Sequence, residues 1–132
     1  MTGVQTCALP ISVSLATAGT GYATVVNTIA LDLATCGVGG NLAATATTGN
    51  MTDSNTVTVG GTANFTTTAN NATIDLGSLA VTGAIKLTTN DDAGADADAS
   101  IVNATTINFM DATSVKGDLT ARATTEIGRA HV

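Results

Sequence analysis

The sequence predicts an all-β chain whose short strands wind into a β-solenoid of about four repeat coils. The first observation is composition, because Thr, Val, Ala, Gly and Asn dominate and good helix formers other than Ala are scarce. The second is alternation of apolar and polar residues, which is typical of strands with one buried face. The third is a short pattern that returns roughly every 20 residues, and a fixed period of this length indicates stacked coils.

The repeated pattern is Val, any residue, Gly, any residue and then an apolar residue. Four copies align without gaps: VGGNLAATA, VGGTANFTT, VTGAIKLTT and VKGDLTARA, starting at Val38, Val59, Val81 and Val115. Two further positions in each copy are apolar and predicted to point inward: Leu42, Ala63, Ile85 and Leu119, then Ala44, Phe65, Leu87 and Ala121. The residues between them are mostly polar, so each copy predicts a half-buried strand.

Shorter alternating segments lie between the copies and predict further strands at 29–33, 74–76 and 107–109, with Met51 in the equivalent place. The longest spacing between copies is explained by an inserted stretch at 90–100. The Gly shared by all copies predicts a turn or a close backbone approach. A β-sandwich also has evenly spaced strands, but it would not need the same string in every repeat. The periodicity likewise argues against disorder, the alternative for polar low-complexity sequence.

Both ends of the chain are predicted to be non-native. Residues 1–11, MTGVQTCALPI, and residues 126–132, EIGRAHV, resemble translations of one common DNA-sequencing adapter in its two directions. We therefore expect 12–125 to be a metagenomic fragment of a longer solenoid, uncapped at both ends. Cys7 would then be foreign, and no Cys7–Cys36 disulfide is expected. Exposed strand edges predict end-to-end self-association of such a fragment.

Charge and composition exclude several classes of function. The chain carries a net charge of −6 with four Lys and Arg residues in total, which argues against a nucleic-acid surface. The stretch 12–125 has no His and a single Cys, so we expect neither Cys/His catalysis nor a zinc site nor any other cofactor. Cys36 is predicted to be a small buried hydrophobic residue. No apolar run is long enough for a transmembrane helix.

The one candidate site is a weak calcium loop in the inserted stretch, formed by Asp91, Asp92, Asp96 and Asp98. Several carboxylates on one loop are what Ca²⁺ prefers, and residues 96–100 begin like a calcium-binding loop. Ile101 and Ile107, however, stand where that loop needs Gly and Glu. The simpler prediction is a solvated acidic excursion, whose second half could form a short strand with Ala95, Ala97 and Ala99 turned inward.

The segment VGGNLAATATTGNMTDSNTVTVGGTANFTTTANNATIDL resembles the repeats of filamentous-haemagglutinin-like exoproteins and related large adhesins of Gram-negative bacteria. The resemblance covers nearly all of 27–125. It implies a right-handed parallel β-helix inside a very long secreted protein that crosses the outer membrane to the cell surface or medium. It also implies a structural, adhesive role without catalysis, with host or surface glycans or proteins bound by the parent protein.

The leading functional prediction is therefore a structural shaft segment of an extracellular or cell-surface adhesin. One alternative is a binding module whose outward Thr and Asn rows contact glycan, matrix or ice, although Lys86, Asp118 and Arg122 interrupt the regular Thr ladder that ice binding needs. Another alternative is a calcium-binding β-solenoid. We expect no enzyme, because the carboxylates are scattered or confined to one insertion rather than clustered on one face.

Overall fold

The computed structural model describes residues 11–92, 94 and 96–124, and this part of the chain contains strands but no helix. The strands are β1 (Ile11–Ala16), β2 (Ala23–Asn27), β3 (Leu31–Val38), β4 (Leu42–Ala46), β5 (Met51–Asp53), β6 (Val57–Val59), β7 (Ala63–Asn70), β8 (Ile74–Val81), β9 (Ile85–Asn90), β10 (Ala99–Asn103) and β11 (Leu119–Ala123). The all-β prediction is confirmed. Within the described ranges, no helix is present that could cross a membrane.

The strands form two sheets in which every pairing is parallel. The first sheet has the order β1-β3-β5-β8-β10-β11, with β6 beside β5 and paired to β3 and β8. The second sheet has the order β2-β4-β7-β9. The chain alternates between the two sheets, so each strand pairs with its counterpart about one coil away. This arrangement is the predicted β-solenoid, with about five turns.

Inward side chains of successive coils stack in columns because the strands pair in register. In the first sheet, Leu31, Met51, Ile74 and Ala99 form one such column, and all are almost completely buried. In the second sheet, the inward positions predicted from the first three copies are buried as expected: Leu42, Ala63, Ile85, Ala44, Phe65 and Leu87. The small Ala44 lies opposite Phe65, and both are fully buried, so a small residue on one coil leaves room for the large ring on the next.

The glycines of the first three copies stack at the corner between the two sheets. The amide of Gly61 donates to the carbonyl of Gly40 (2.9 Å), and the amide of Gly83 donates to that of Gly61 (3.0 Å). A Cβ atom on Gly83 would lie 2.6 Å from the carbonyl carbon of Gly61, closer than real Cβ contacts. The predicted close backbone approach is confirmed, and it explains why the corner needs a residue without a side chain.

The fourth copy of the pattern does not occupy the place that the alignment predicts. Its strand, β11, pairs with β10 in the first sheet, so Leu119 lies opposite Ala99 rather than in the column of Ile85. Gly117 lies against the backbone of Ala97 and Asp98, away from the corner glycines. The alignment assigned the fourth copy to the wrong sheet because the Val-x-Gly pattern can precede a strand at more than one corner of the coil.

The predicted strand at 107–109 is reduced to isolated bridges. Phe109 forms a bridge with Ile85, and Ser114 forms one with Thr88, so 107–114 follows the second sheet without making a full strand. The inserted stretch is confirmed as a long connection, since 91–98 joins β9 to β10 where 71–73 suffices between β7 and β8. As anticipated, Ala97 and Ala99 are buried while Asp96 and Asp98 are exposed; Ala95 lies outside the described residues.

The solenoid also has one level more than the copies predict, because β1 and β2 form a first coil. That coil lacks the Val-x-Gly string, but Gly21 accepts a hydrogen bond from Gly40 (2.8 Å) and so begins the glycine column. At the other end, the inward positions of β11 are open to solvent, and Leu119 is 43% exposed. The adapter interpretation concerns 1–11 and 126–132, which apart from Ile11 lie outside the described residues.

Gly83→Ala is expected to destabilise the fold, because the added methyl group meets rigid backbone of the coil below. We expect a loss of about 1–3 kcal/mol in the free energy of unfolding, measured by urea denaturation followed by circular dichroism. Gly37→Ala is the matched control, since a Cβ there meets no atom within 4 Å. Equal losses in the two variants would contradict the glycine column.

Leu76→Ala and Leu119→Ala test the position of the fourth copy. Leu76 is completely buried, so its truncation should cost about 2–5 kcal/mol. Leu119 is partly exposed on the last level, and its truncation should cost about 0.5 kcal/mol or less. If Leu119→Ala were as damaging as Leu76→Ala in the same denaturation experiment, the placement of β11 would be wrong.

Candidate functional site

The acidic loop 91–98 is held together by its own first carboxylate. Asp91 accepts hydrogen bonds from the amide of Gly94 through Oδ1 (3.0 Å) and from the amide of Asp96 through Oδ2 (3.0 Å). A short polar side chain that bonds backbone two to five residues onward is a common way to fold a connection. Asp91 therefore has a structural task in closing the loop.

The other carboxylates of the predicted calcium loop have separate partners. Asp92 accepts a hydrogen bond from the amide group of Asn70 (3.1 Å), and Asp98 accepts one from the backbone amide of Asp118 (2.7 Å). Asp91 and Asp96 share the wall of a depression of about 280 Å³, which neither Asp92 nor Asp98 lines. In the described part of the chain, no three His, Cys, Asp or Glu side chains are grouped so that they could hold a metal ion. The calcium alternative stays a prediction.

A hydroxyl network that the sequence did not predict surrounds Asp32 on the outer face of the first sheet. Its carboxylate accepts hydrogen bonds from Ser12 (2.7 Å), Thr52 (3.1 Å) and Ser54 (2.6 Å), which lie on the coils to either side. Burial alone would raise the pKa of Asp32, but the three hydroxyl donors outweigh it and hold the pKa below its ordinary value. The network links three levels of the solenoid.

Asp53 accepts backbone hydrogen bonds at a place in the same sheet where the pairing between strands is interrupted. The strands β5 and β6 are interrupted by residues 54–56, which leaves the opposing backbone of β8 without strand partners. The carboxylate of Asp53 accepts the amides of Gly77 (2.9 Å) and Ser78 (2.8 Å) there. Burial raises the pKa of Asp53 despite these donors, and the nearby charges of Asp75 and Asp32 add to the increase. Asp32 and Asp53 therefore both act as structural links between neighbouring coils.

Cys36 is a free thiol and is only 2% exposed, as predicted for a small buried hydrophobic residue. Its sulfur lies 3.6 Å from the carbonyl oxygen of Val13, to which the thiol donates. Burial raises the pKa of the Cys36 thiol, so the thiolate needed for nucleophilic chemistry is disfavoured.

The outer face of the second sheet carries two rows of side chains at strand spacing. One row is mostly hydroxyl-bearing, and the other is mixed: Val26, Thr45, Thr66 and Thr88, then Thr24, Ala43, Asn64 and Lys86. The predicted outward rows are therefore present on this face. Arg122, which was expected to interrupt them, lies on β11 in the first sheet instead, and Asp118, expected to do the same, directly precedes that strand. Within the first row the three Thr residues are consecutive.

A groove of about 610 Å³ lies over the mixed row. Tyr22 and Thr24 line it on the first coil, Asn64 and Lys86 line it on middle coils, and Met110 lines it beyond them. Among these lining residues Tyr22 is strongly exposed, at 72%. The sequence did not reveal this groove, because Tyr22 and Met110 are far apart along the chain and only the coiling places them over one face.

Asp32→Asn should lower stability at neutral pH, because the amide lacks the charge that the three hydroxyls stabilise. The pKa of Asp32 in the folded chain lies below its ordinary value of 3.8. Its carboxylate therefore contributes stability above pH 3.8, and that contribution is lost as the pH falls through the lower folded value. Urea unfolding of parent and variant should differ at neutral pH and converge in acid.

Ser54→Ala removes one donor but keeps the charge, and it should show the same convergence in acid with a smaller difference at neutral pH. A difference that did not change with pH would mean that shape, not charge, decides the effect of Asp32→Asn.

Comparison of the chain with models of protein families, with curated proteins and with solved structures gave no match. The assignment of the fold therefore depends on the geometry of the strands alone. The resemblance to adhesin repeats depends on the repeated residues of the sequence alone.

Proposed function

We propose that the chain is a structural shaft segment of a large bacterial adhesin, secreted to or displayed on the surface of a Gram-negative cell, and that its repeats carry no catalysis. The observation that carries this proposal is the stacking of parallel strands, coil upon coil, from β1 to β11. Each added coil lengthens such a ladder by about 4.8 Å without changing its cross-section. A part built in this way is suited to extend and to present more distant binding sites.

The last described level supports continuation of the shaft. The inward positions of β11 face solvent, and Leu119 would be covered by one more coil of the same kind. Among the described strands, none pairs with the far edge of β11. Solenoids usually protect such an edge with a capping repeat or with a further coil.

The hydrogen bonds accepted by three of the aspartates support a structural role rather than catalysis. General acid–base chemistry needs groups free to exchange protons with a substrate. Asp32 and Asp53 instead hold hydroxyls and amides of neighbouring coils, and Asp91 closes its own loop. The thiol of Cys36 is buried. Each of these groups is used to join one coil to the next or to shape a connection.

A long DNA read across this locus in the source sample tests the proposal. We expect the reading frame to continue past both adapter-like ends into further coils with the same Val-x-Gly pattern and a secretion domain. A frame that starts at Met1 and stops at Val132 in native genomic sequence would overturn the shaft proposal.

Location is tested separately with an antiserum raised against the purified chain. It should label intact source cells or their medium, and permeabilisation should not be needed. Labelling that appears only after cells are opened would contradict an extracellular shaft, whatever the length of the parent gene.

A further inference from the structure

Beyond the shaft role, we propose that the groove over the second sheet is a binding site for a short oligosaccharide, with Tyr22 as the surface on which a sugar ring packs. A singly exposed aromatic residue is ordinary on a protein surface. Here Tyr22 is 72% exposed and lines a groove of about 610 Å³, so its ring has a neighbouring space for a ligand to occupy. The apolar face of a pyranose ring suits such an aromatic wall, while its hydroxyls need polar partners nearby.

The groove supplies both hydrogen-bond acceptors and hydrogen-bond donors. The side chain of Asn64 lines the groove, and its buried Oδ1 atom accepts no hydrogen bond; a small rotation of this side chain would let Oδ1 accept one from a ligand hydroxyl. The Oδ1 atom of Asn41 already accepts the amide of Thr62 (2.9 Å), which directs the NH₂ group of Asn41 to act as a donor elsewhere. Lys86 adds a second donor, and Thr24 adds a hydroxyl. Adjacent sugar hydroxyls each donate and accept, and they match such a mixed set.

The backbone beneath the groove argues against a peptide as occupant. Peptides that bind sheets usually add a strand at an edge, where backbone N–H and C=O groups are unpaired. This groove lies on the face of β2, β4, β7 and β9, whose middle strands are paired on both sides. Recognition must therefore come from side chains. A nucleic acid is disfavoured by the net charge of −6, since only Lys86 in the groove could neutralise a phosphate.

The chain contains one Tyr and no Trp, so its tyrosine fluorescence reports on the groove directly. The probes are cellohexaose, maltohexaose, chitohexaose and hexagalacturonate, titrated separately to millimolar concentration. We expect a saturable change in emission with at least one of them. A response to hexagalacturonate alone would assign Lys86 to a sugar carboxylate, whereas a response to a neutral probe would assign it to hydroxyls.

Variants assign the response to the groove. Asn64→Ala should weaken binding of the responding probe by about tenfold or more, because a central hydrogen-bonding partner is lost. Tyr22→Ala should abolish binding and Tyr22→Phe should retain most of it, both measured by calorimetry because these variants lack the fluorophore. Asp75→Asn, on the opposite sheet, is the matched control and should leave the titration unchanged. Urea unfolding of each variant confirms that the solenoid is intact.

The proposal is overturned if none of the four probes gives a saturable signal, or if Asn64→Ala and Tyr22→Ala bind as tightly as the parent while folded. These outcomes are independent of the long read and the surface labelling, so the groove and the shaft can fail separately.

Discussion

The structure depends on parallel, in-register pairing between each strand and its counterpart one coil away. This pairing satisfies backbone hydrogen bonds between coils and also sets every inward side chain on an equivalent one. Because side chains alternate at a period of two, a slip by one residue would turn the core residues of a whole strand to solvent. The register therefore stacks Leu31, Met51 and Ile74 in one column and sets Ala44 beside Phe65. Burial of these side chains in turn stabilises this register against a slip.

At the corners the chain leaves the ladder of paired strands, so close packing and hydrogen bonding between coils must be achieved there in other ways. At one corner, Gly40, Gly61 and Gly83 let successive backbones approach directly. At another, the inward column turns polar: Thr67 donates to the carbonyl of Ala72 (3.1 Å), and Thr89 donates to that of Ala97 (2.8 Å). Each buried hydroxyl satisfies a carbonyl in the connection to the next coil. In the described part of the chain, the buried polar residues, Asn27, Thr67, Thr89 and Asn103, lie at or near strand ends, where the ladder gives way to a connection.

Asn103 is another buried polar residue at a strand end, in this case at the end of β10. Its side chain exchanges two hydrogen bonds with the backbone of Val81, accepting at 2.8 Å and donating at 3.0 Å, and so replaces a missing strand residue. Asp53 does this with a carboxylate on the outer face. The two outer faces consequently differ. On the first sheet, the carboxylates of Asp32 and Asp53 bond to hydroxyls or to backbone, whereas the groove over the second sheet is lined by an unpaired amide oxygen and an exposed aromatic residue. This asymmetry is what makes one face a candidate for ligands.

Sequence by itself determined the fold class, the inward faces of the first three repeats, the turn at each corner glycine, the insertion after β9 and the burial of Cys36. These features are local, since alternation and a glycine before an apolar residue carry their meaning within a few residues. Tertiary structure alone decided which sheet the fourth copy joins, which hydroxyls surround Asp32 and which side chains meet Tyr22. Those outcomes depend on how many residues each connection consumes before the chain returns to the ladder. The physical reason is that the coil brings together residues about one turn or several turns apart. Connection lengths decide which residues these are: the insertion at 91–98 leaves β10 on its counterpart β8, whereas the stretch 104–118 returns the chain to the first sheet as β11.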